Sequence, residues 1–218
     1  MNTQDIIARI DKEKVIAIVR GIAPADVMKV ADALYAGGIT LMEVPFTAKA
    51  PETDEATAQC IADLVKKFEG KMLIGAGTVL KVSQVDLTYN AGGSYIITPS
   101  IDVNVIKRAV ELGMVAMPGA MTPTEIMTAH NAGAQYVKIF PAGNLGPDYI
   151  KAIKAPLNHI KMTCVGGVSE KNFEDFLKVG MAGGGFGGNL ANKEWIANGE
   201  FEKITNVAKQ LVEIASRY

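Results

Sequence analysis

The chain has 218 residues, 49% hydrophobic and 21% charged, with 22 Lys and Arg against 23 Asp and Glu for a formal net charge of −1. That composition is globular, can build a full core, and offers no basic surface for nucleic acid or an anionic membrane. Cys60 and Cys164 are too few for a disulfide framework and no apolar run is long enough to span a bilayer, so a soluble cytoplasmic protein with reduced thiols is expected.

The opening "MNTQDIIARIDKEK" alternates apolar and charged residues and reads as a helix start, not a signal peptide. From there, short apolar runs alternate with amphipathic segments. "KVIAIVRG" (14–21) leads into a helix over 24–38, "TLMEVPF" (40–46) into one over 51–70, and "KMLIGAGT" (71–78) into one over 81–93. "SYIITPS" (94–100) precedes a helix over 102–113, and "MVAMPGA" (114–120) one over 122–134. "QYVKIFPA" (135–142) precedes 146–155, "IKMTCVGG" (160–167) precedes 170–180, and the glycine-rich "MAGGGFGG" (181–188) precedes 200–218. The runs lack polar alternation, as do strands buried on both faces of a parallel sheet. Several helices open with Pro, Asp or Thr and close with Gly. Eight strands alternating with eight helices predict an α/β fold, a compact (β/α)8 TIM barrel forming a single domain over 1–218. An open doubly wound sheet is the alternative, disfavoured by the count and by the lack of a GxGxxG after the first strand.

The chemistry of such a barrel lies at the C-terminal ends of its strands. Two charges interrupt the apolar runs, Glu43 and Lys138. Burial lowers an amine's pKa and raises a carboxyl's, which favours a nucleophilic lysine beside a proton-shuttling acid. That pair suits Schiff-base chemistry on a ketone; a structural ion pair is the plainer alternative. Gly166-Gly167 and Gly187-Gly188 end the last two strands, where bare backbone can approach a phosphate, or can simply make tight turns. Arg20 offers a bidentate fork for a carboxylate or phosphate. Thr78 offers a hydroxyl, or a helix cap. His130 falls in a helix and His159 in the loop before the seventh strand, so neither is a catalytic candidate and no zinc site is expected.

These residues resemble a known family. "IAIVRGI" (16–22), "GGITLMEVPF" (37–46), "IGAGTVL" (74–80), "ITPSI" (97–101), "MPGAMTPTEI" (117–126), "AGAQYVKIFPA" (132–142) and "VGGVSEKNF" (165–173) resemble, in order, the KDPG/KHG aldolases. The resemblance implies a class I aldolase cleaving 2-dehydro-3-deoxy-6-phosphogluconate, or 4-hydroxy-2-oxoglutarate, to pyruvate plus glyceraldehyde 3-phosphate or glyoxylate. Lys138 would form the Schiff base, Glu43 would be the general acid/base, and Thr78 would hold the pyruvyl carboxylate. Gly166, Gly167, Gly187 and Gly188 would cradle the phosphate, and Pro99 and Phe140 would wall the pocket. A homotrimer needing no metal or cofactor is likewise implied.

Two positions depart from the family pattern: Thr47 stands where many members carry a substrate-holding arginine, and Gly188 where a serine is common. Arg20 or Lys49 could replace the lost cation. "IVRGI", "EVPF", "LGPDYIKAIKA" and "VGGVSEKN" resemble the 2-dehydro-3-deoxy-6-phosphogalactonate branch, which is the alternative substrate. More distant readings are a phosphosugar isomerase or epimerase, and a noncatalytic phosphate-binding barrel.

Overall fold

The computed structural model describes residues 1–218, with the side chain of Pro51 excepted. Nine parallel stretches of strand run as β1 (Val15–Ile18), β2 (Leu41–Pro45), β3 (Leu73–Gly77), β4 (Tyr95–Ile97), β5 (Val115–Met117), β6 (Gly119–Ala120), β7 (Val137–Ile139), β8 (Met162–Val165) and β9 (Gly183–Phe186). Their order is β5-β4-β3-β2-β1-β9-β8-β7-β6. The two ends of that order, β5 and β6, are one stretch of chain interrupted at Pro118, which has no N–H for the ladder. Ala116 and Pro118 accept from the amides of Tyr136 (3.4 Å) and Lys138 (2.9 Å), which closes the ring. The barrel is therefore eight-stranded with its fifth strand broken, and the open-sheet alternative falls.

Side chains alternate across this wall. Ala17, Met42, Ile74, Ile96, Ala116, Val137 and Cys164 point outward into the main core beneath the helices. Ile16, Leu41, Leu73, Tyr95, Val115 and Tyr136 point inward and form a second core inside the barrel. Helix α1 (Thr3–Glu13) plugs the N-terminal mouth with Ile6 and Ile10. Its Asp11 accepts from Tyr136 Oη (2.7 Å) and Lys161 Nζ (2.6 Å), which ties the plug to the wall. The function of the opening segment as a plug was not legible in sequence.

Seven expected helices form as α2 (Pro24–Ala36), α3 (Asp54–Lys67), α4 (Val82–Asn90), α5 (Val103–Glu111), α6 (Pro123–Asn131), α7 (Ala142–Lys154) and α8 (Phe173–Lys178). Pro24 and Pro123 open helices, Asp102 caps α5, and Thr122 with Glu125 forms a capping box on α6. Helix α7 starts four residues before the expected 146 and kinks at Gly146 (φ 78°), with Pro147 opening its second part. A short α9 (Lys193–Ala197) precedes α10 (Phe201–Ala215) and was not anticipated, because its five residues carry too little periodicity. Among the described residues, no helix is long and apolar enough to cross a membrane. Both cysteines are buried and free.

The "GAG" of β3 is explained by space inside the barrel. A Cβ on Gly75 would stand 2.4 Å from the Tyr95 ring, and one on Gly77 would stand 1.6 Å from Glu43 Oε2. Gly77→Ala is expected to destabilise the protein by at least about 2 kcal/mol, through overpacking against that carboxylate. The penalty should shrink in a Glu43→Ala background, measured by urea unfolding; strict additivity of the two changes would refute the assignment.

Candidate active site

Glu43 follows Leu41 by two residues on β2, and Lys138 follows Tyr136 by two on β7, so both project into the barrel above the apolar plug. Lys138 pairs in register with Gly119 on one side and Thr163 on the other, which fixes its backbone in the wall. Glu43 is 2% exposed and Lys138 7%, so both charges are held out of solvent. Among the ion pairs of the described residues, all of them at the surface, the two are not joined. Glu43 Oε2 is buried with no hydrogen-bond partner in the protein. A purely structural pair would close that contact; here both groups are left facing a common space.

Burial pushes the Glu43 carboxyl up to about 7, against the attraction of Lys138 and Arg20. Burial also lowers the Lys138 amine; Glu43 opposes that shift and Arg20 adds to it. Each group is thereby moved toward neutral pH, where an amine can attack and a carboxyl can both give and take a proton. Lys138 Nζ stands 4.8 Å from the centroid of the Phe140 ring, which is 40% exposed at the rim. Tyr95 lies beneath, its hydroxyl donating to the Met42 carbonyl (2.7 Å) and held neutral by burial and by Glu43.

A cavity of about 350 Å³ opens above the pair. It is lined by Arg20, Glu43, Pro99, Lys138, Phe140, Gly166, Gly167, Gly187 and Gly188, so the barrel brings nine of the ten expected site residues to one space. The tenth, Thr78, is not in the lining but is joined to it, because Arg20 Nη2 donates to Thr78 Oγ1 (2.7 Å). Thr78 is not a helix cap: α4 begins four residues later, with Lys81 in the capping position. Its φ of 53° is a left-handed conformation that a β-branched residue adopts at a cost of roughly 1–3 kcal/mol. In that conformation its hydroxyl accepts from Arg20.

Gly166 (φ 85°) and Gly167 (φ 72°) make a left-handed turn after β8 that a side chain would strain, and the Gly166 carbonyl accepts from Gly143 N (2.7 Å). Thr47 lies in a separate small cavity between α2 and α3 with Val44, Pro45 and Cys60. Lys49 is exposed and absent from the lining, so Arg20 alone of the two considered cations reaches the site. Ile18, Val165, Val168, Gly185 and Asn189 also line the cavity and were missed. As apolar, glycine or amide positions in strands and turns, they carry no chemical signal of their own. His130 and His159 stack edge to face at 5.3 Å, both outside the lining of this cavity. Among the described residues, no three His, Cys, Asp or Glu side chains converge as a metal group.

The sequence pattern described as KDPG and KHG aldolase matches residues 6–207. The chain is 43% identical over 180 residues to the 2-dehydro-3-deoxy-6-phosphogalactonate aldolase of Escherichia coli K12, covering 82% of this chain and 85% of that one. A solved native KDPGal structure is similar at a TM-score of 0.83 and 38% identity, covering 94% and 96% of the two chains. A KDPG aldolase from Legionella pneumophila, with pyruvate captured as a covalent carbinolamine intermediate, is similar at a TM-score of 0.83 and 27% identity, again over 94% and 96%.

Proposed function

The chain belongs to the KDPG and KHG aldolase family of aldehyde-lyases, and from that premise we propose that Lys138 and Glu43 carry its reaction on a phosphorylated 2-keto-3-deoxy sugar acid. The observation that supports this most is the pair of buried, unjoined charges facing one cavity. The Lys138 amine adds to the C2 ketone, giving a carbinolamine that loses water to an iminium. Glu43 takes the proton of the C4 hydroxyl, the C3–C4 bond breaks, and its electron pair moves into the iminium to give an enamine. Glyceraldehyde 3-phosphate leaves, Glu43 returns a proton to C3, and hydrolysis releases pyruvate and the free lysine. The lysine is itself the electron sink, so this scheme uses no metal or organic cofactor.

Arg20, positioned by Thr78, holds the pyruvyl carboxylate, taking the place of a cation at position 47. The turns at Gly166-Gly167 and Gly187-Gly188 receive the phosphate, while Pro99 and Phe140 limit access of water. For the substrate's C4 configuration, the 43% and 38% identities to galactonate-type relatives, against 27% to the gluconate-type one, favour 2-dehydro-3-deoxy-6-phosphogalactonate, with the gluconate epimer as second reading. A homotrimer in the cytoplasm is carried by the family resemblance.

Borohydride reduction in the presence of pyruvate, followed by peptide mass mapping, is expected to place a reduced pyruvyl adduct on Lys138 and none on a Lys138→Arg variant. A folded wild-type protein with pyruvate in excess and no adduct would exclude this mechanism and favour an isomerase, in which the lysine is only a fixed charge. Cleavage rates on the two C4 epimers decide the substrate.

A further inference from the structure

A second groove of about 380 Å³ joins the catalytic cavity through Ile18, Arg20 and Gly188, and is completed by Ala191, Asn192, Lys193 and Glu194. Lys193 opens α9, the helix the sequence did not announce, and lies across from the turn after β1: a Cβ on Gly21 would stand 3.0 Å from its Nζ. Of the three cations lining the joined space, Lys138 is buried inside the barrel, and Arg20, which donates to Thr78, is assigned above to the pyruvyl carboxylate. Lys193 has no ion-pair partner among the described residues, its sequence neighbour Glu194 included.

Two further observations mark the same end of the space as a seat for an anion. Nothing lies within 4 Å of a Cβ placed on Gly188, so the turn between the two grooves is open above its backbone. Beside it, Asn189 lines the cavity and its amide nitrogen is buried with no hydrogen-bond partner, a donor that costs stability unless an acceptor reaches it. Gly188 lines both grooves, with the unspent amide of Asn189 in the lining of one and the Lys193 ammonium, without an ion-pair partner, in the lining of the other.

We propose that Lys193 supplies the charge that grips the substrate's distal phosphate over the Gly187-Gly188 turn, with Asn189 as its neutral donor, and so sets the preference for phosphorylated substrates. The inference rests on the aldolase reading above and names the residue by which that site selects its substrate. It assigns to a side chain five residues beyond Gly188 what the glycine itself cannot provide.

The test is aldol addition of pyruvate to glyceraldehyde 3-phosphate and to unphosphorylated glyceraldehyde, by wild type, Lys193→Ala and Lys193→Arg. In Lys193→Ala the ratio of kcat/KM for the phosphorylated over the unphosphorylated aldehyde should fall roughly 10–100-fold, mostly through KM for the phosphorylated one. Lys193→Arg should keep the ratio within about threefold of wild type, since the charge is retained. Equal losses on both aldehydes, an unchanged ratio, or failure of arginine to restore it would each overturn the assignment. Pyruvate trapping on Lys138, run on the same samples, separates the two failures: an adduct without phosphate discrimination sinks only the role of Lys193, whereas no adduct in wild type sinks the aldolase reading as well.

Discussion

Lys138→Met is expected to lower the retro-aldol kcat by at least about 10⁴-fold, the scale of losing a covalent nucleophile. Methionine fills the same unbranched volume, so the loss should come with a folded protein, unchanged in circular dichroism. The variant should also be more stable at neutral pH, because the burial cost of an ammonium 7% exposed outweighs its attraction to Glu43 and is removed with it. The sign follows from the lysine's titration. Its folded pKa is depressed, so the folded state disfavours the proton, the cost is complete below that folded value, and it disappears as pH approaches the ordinary 10.5. The stability gain should therefore fade toward alkaline pH. Residual activity within about tenfold of wild type would show that Lys138 does not serve the reaction, and destabilisation at neutral pH would show that its charge supports the fold.

Glu43→Gln is expected to reduce kcat by about 10²–10⁴-fold while leaving pyruvate binding in place, as fits loss of a proton shuttle. The wild-type pH profile should break near 7, where the carboxyl titrates, and that break should be absent from the variant. Stability should move the other way. The unfolded carboxyl titrates near 4.5 and the folded one near 7, so between those values the folded state keeps a proton the unfolded state has lost. Wild-type stability therefore falls as pH rises across that window, by about 3 kcal/mol, and the deficit persists above 7. Glutamine has no such titration, so the stability difference between variant and wild type should widen from pH 4.5 to 8 in denaturant titrations. Parallel curves would mean that the Glu43 carboxyl is not held near 7 by burial. Both variants trade activity for stability because the site keeps two charges where the barrel would be better served by apolar side chains.

Much of this was legible in the sequence, for local reasons. The eight runs were recognisable because a strand covered by helices outside and by core inside tolerates apolar residues on both faces, as Met42 outside and Leu41 inside illustrate. Caps at Asp102 and Thr122 were visible because they bond backbone within three residues. Glu43 and Lys138 stood out because a charge inside an apolar run is costly wherever the chain goes. Boundaries were less legible: the break at Pro118, the earlier start of α7 and the five residues of α9 depend on contacts outside each segment.

Sequence by itself therefore determined the parallel barrel and the residue types that can do chemistry, since both are written in neighbours along the chain. Tertiary structure decided which of those residues meet. Closure of β5 and β6 against β4 and β7 sets the register that puts Lys138 and Glu43 over one cavity. It also turned two glycines of β3 into room for Tyr95 and Glu43, and brought Lys193 opposite Gly21, 172 positions earlier in the chain. No local pattern encodes such distances, because they arise from the shear of the closed sheet and the paths of the loops between strands.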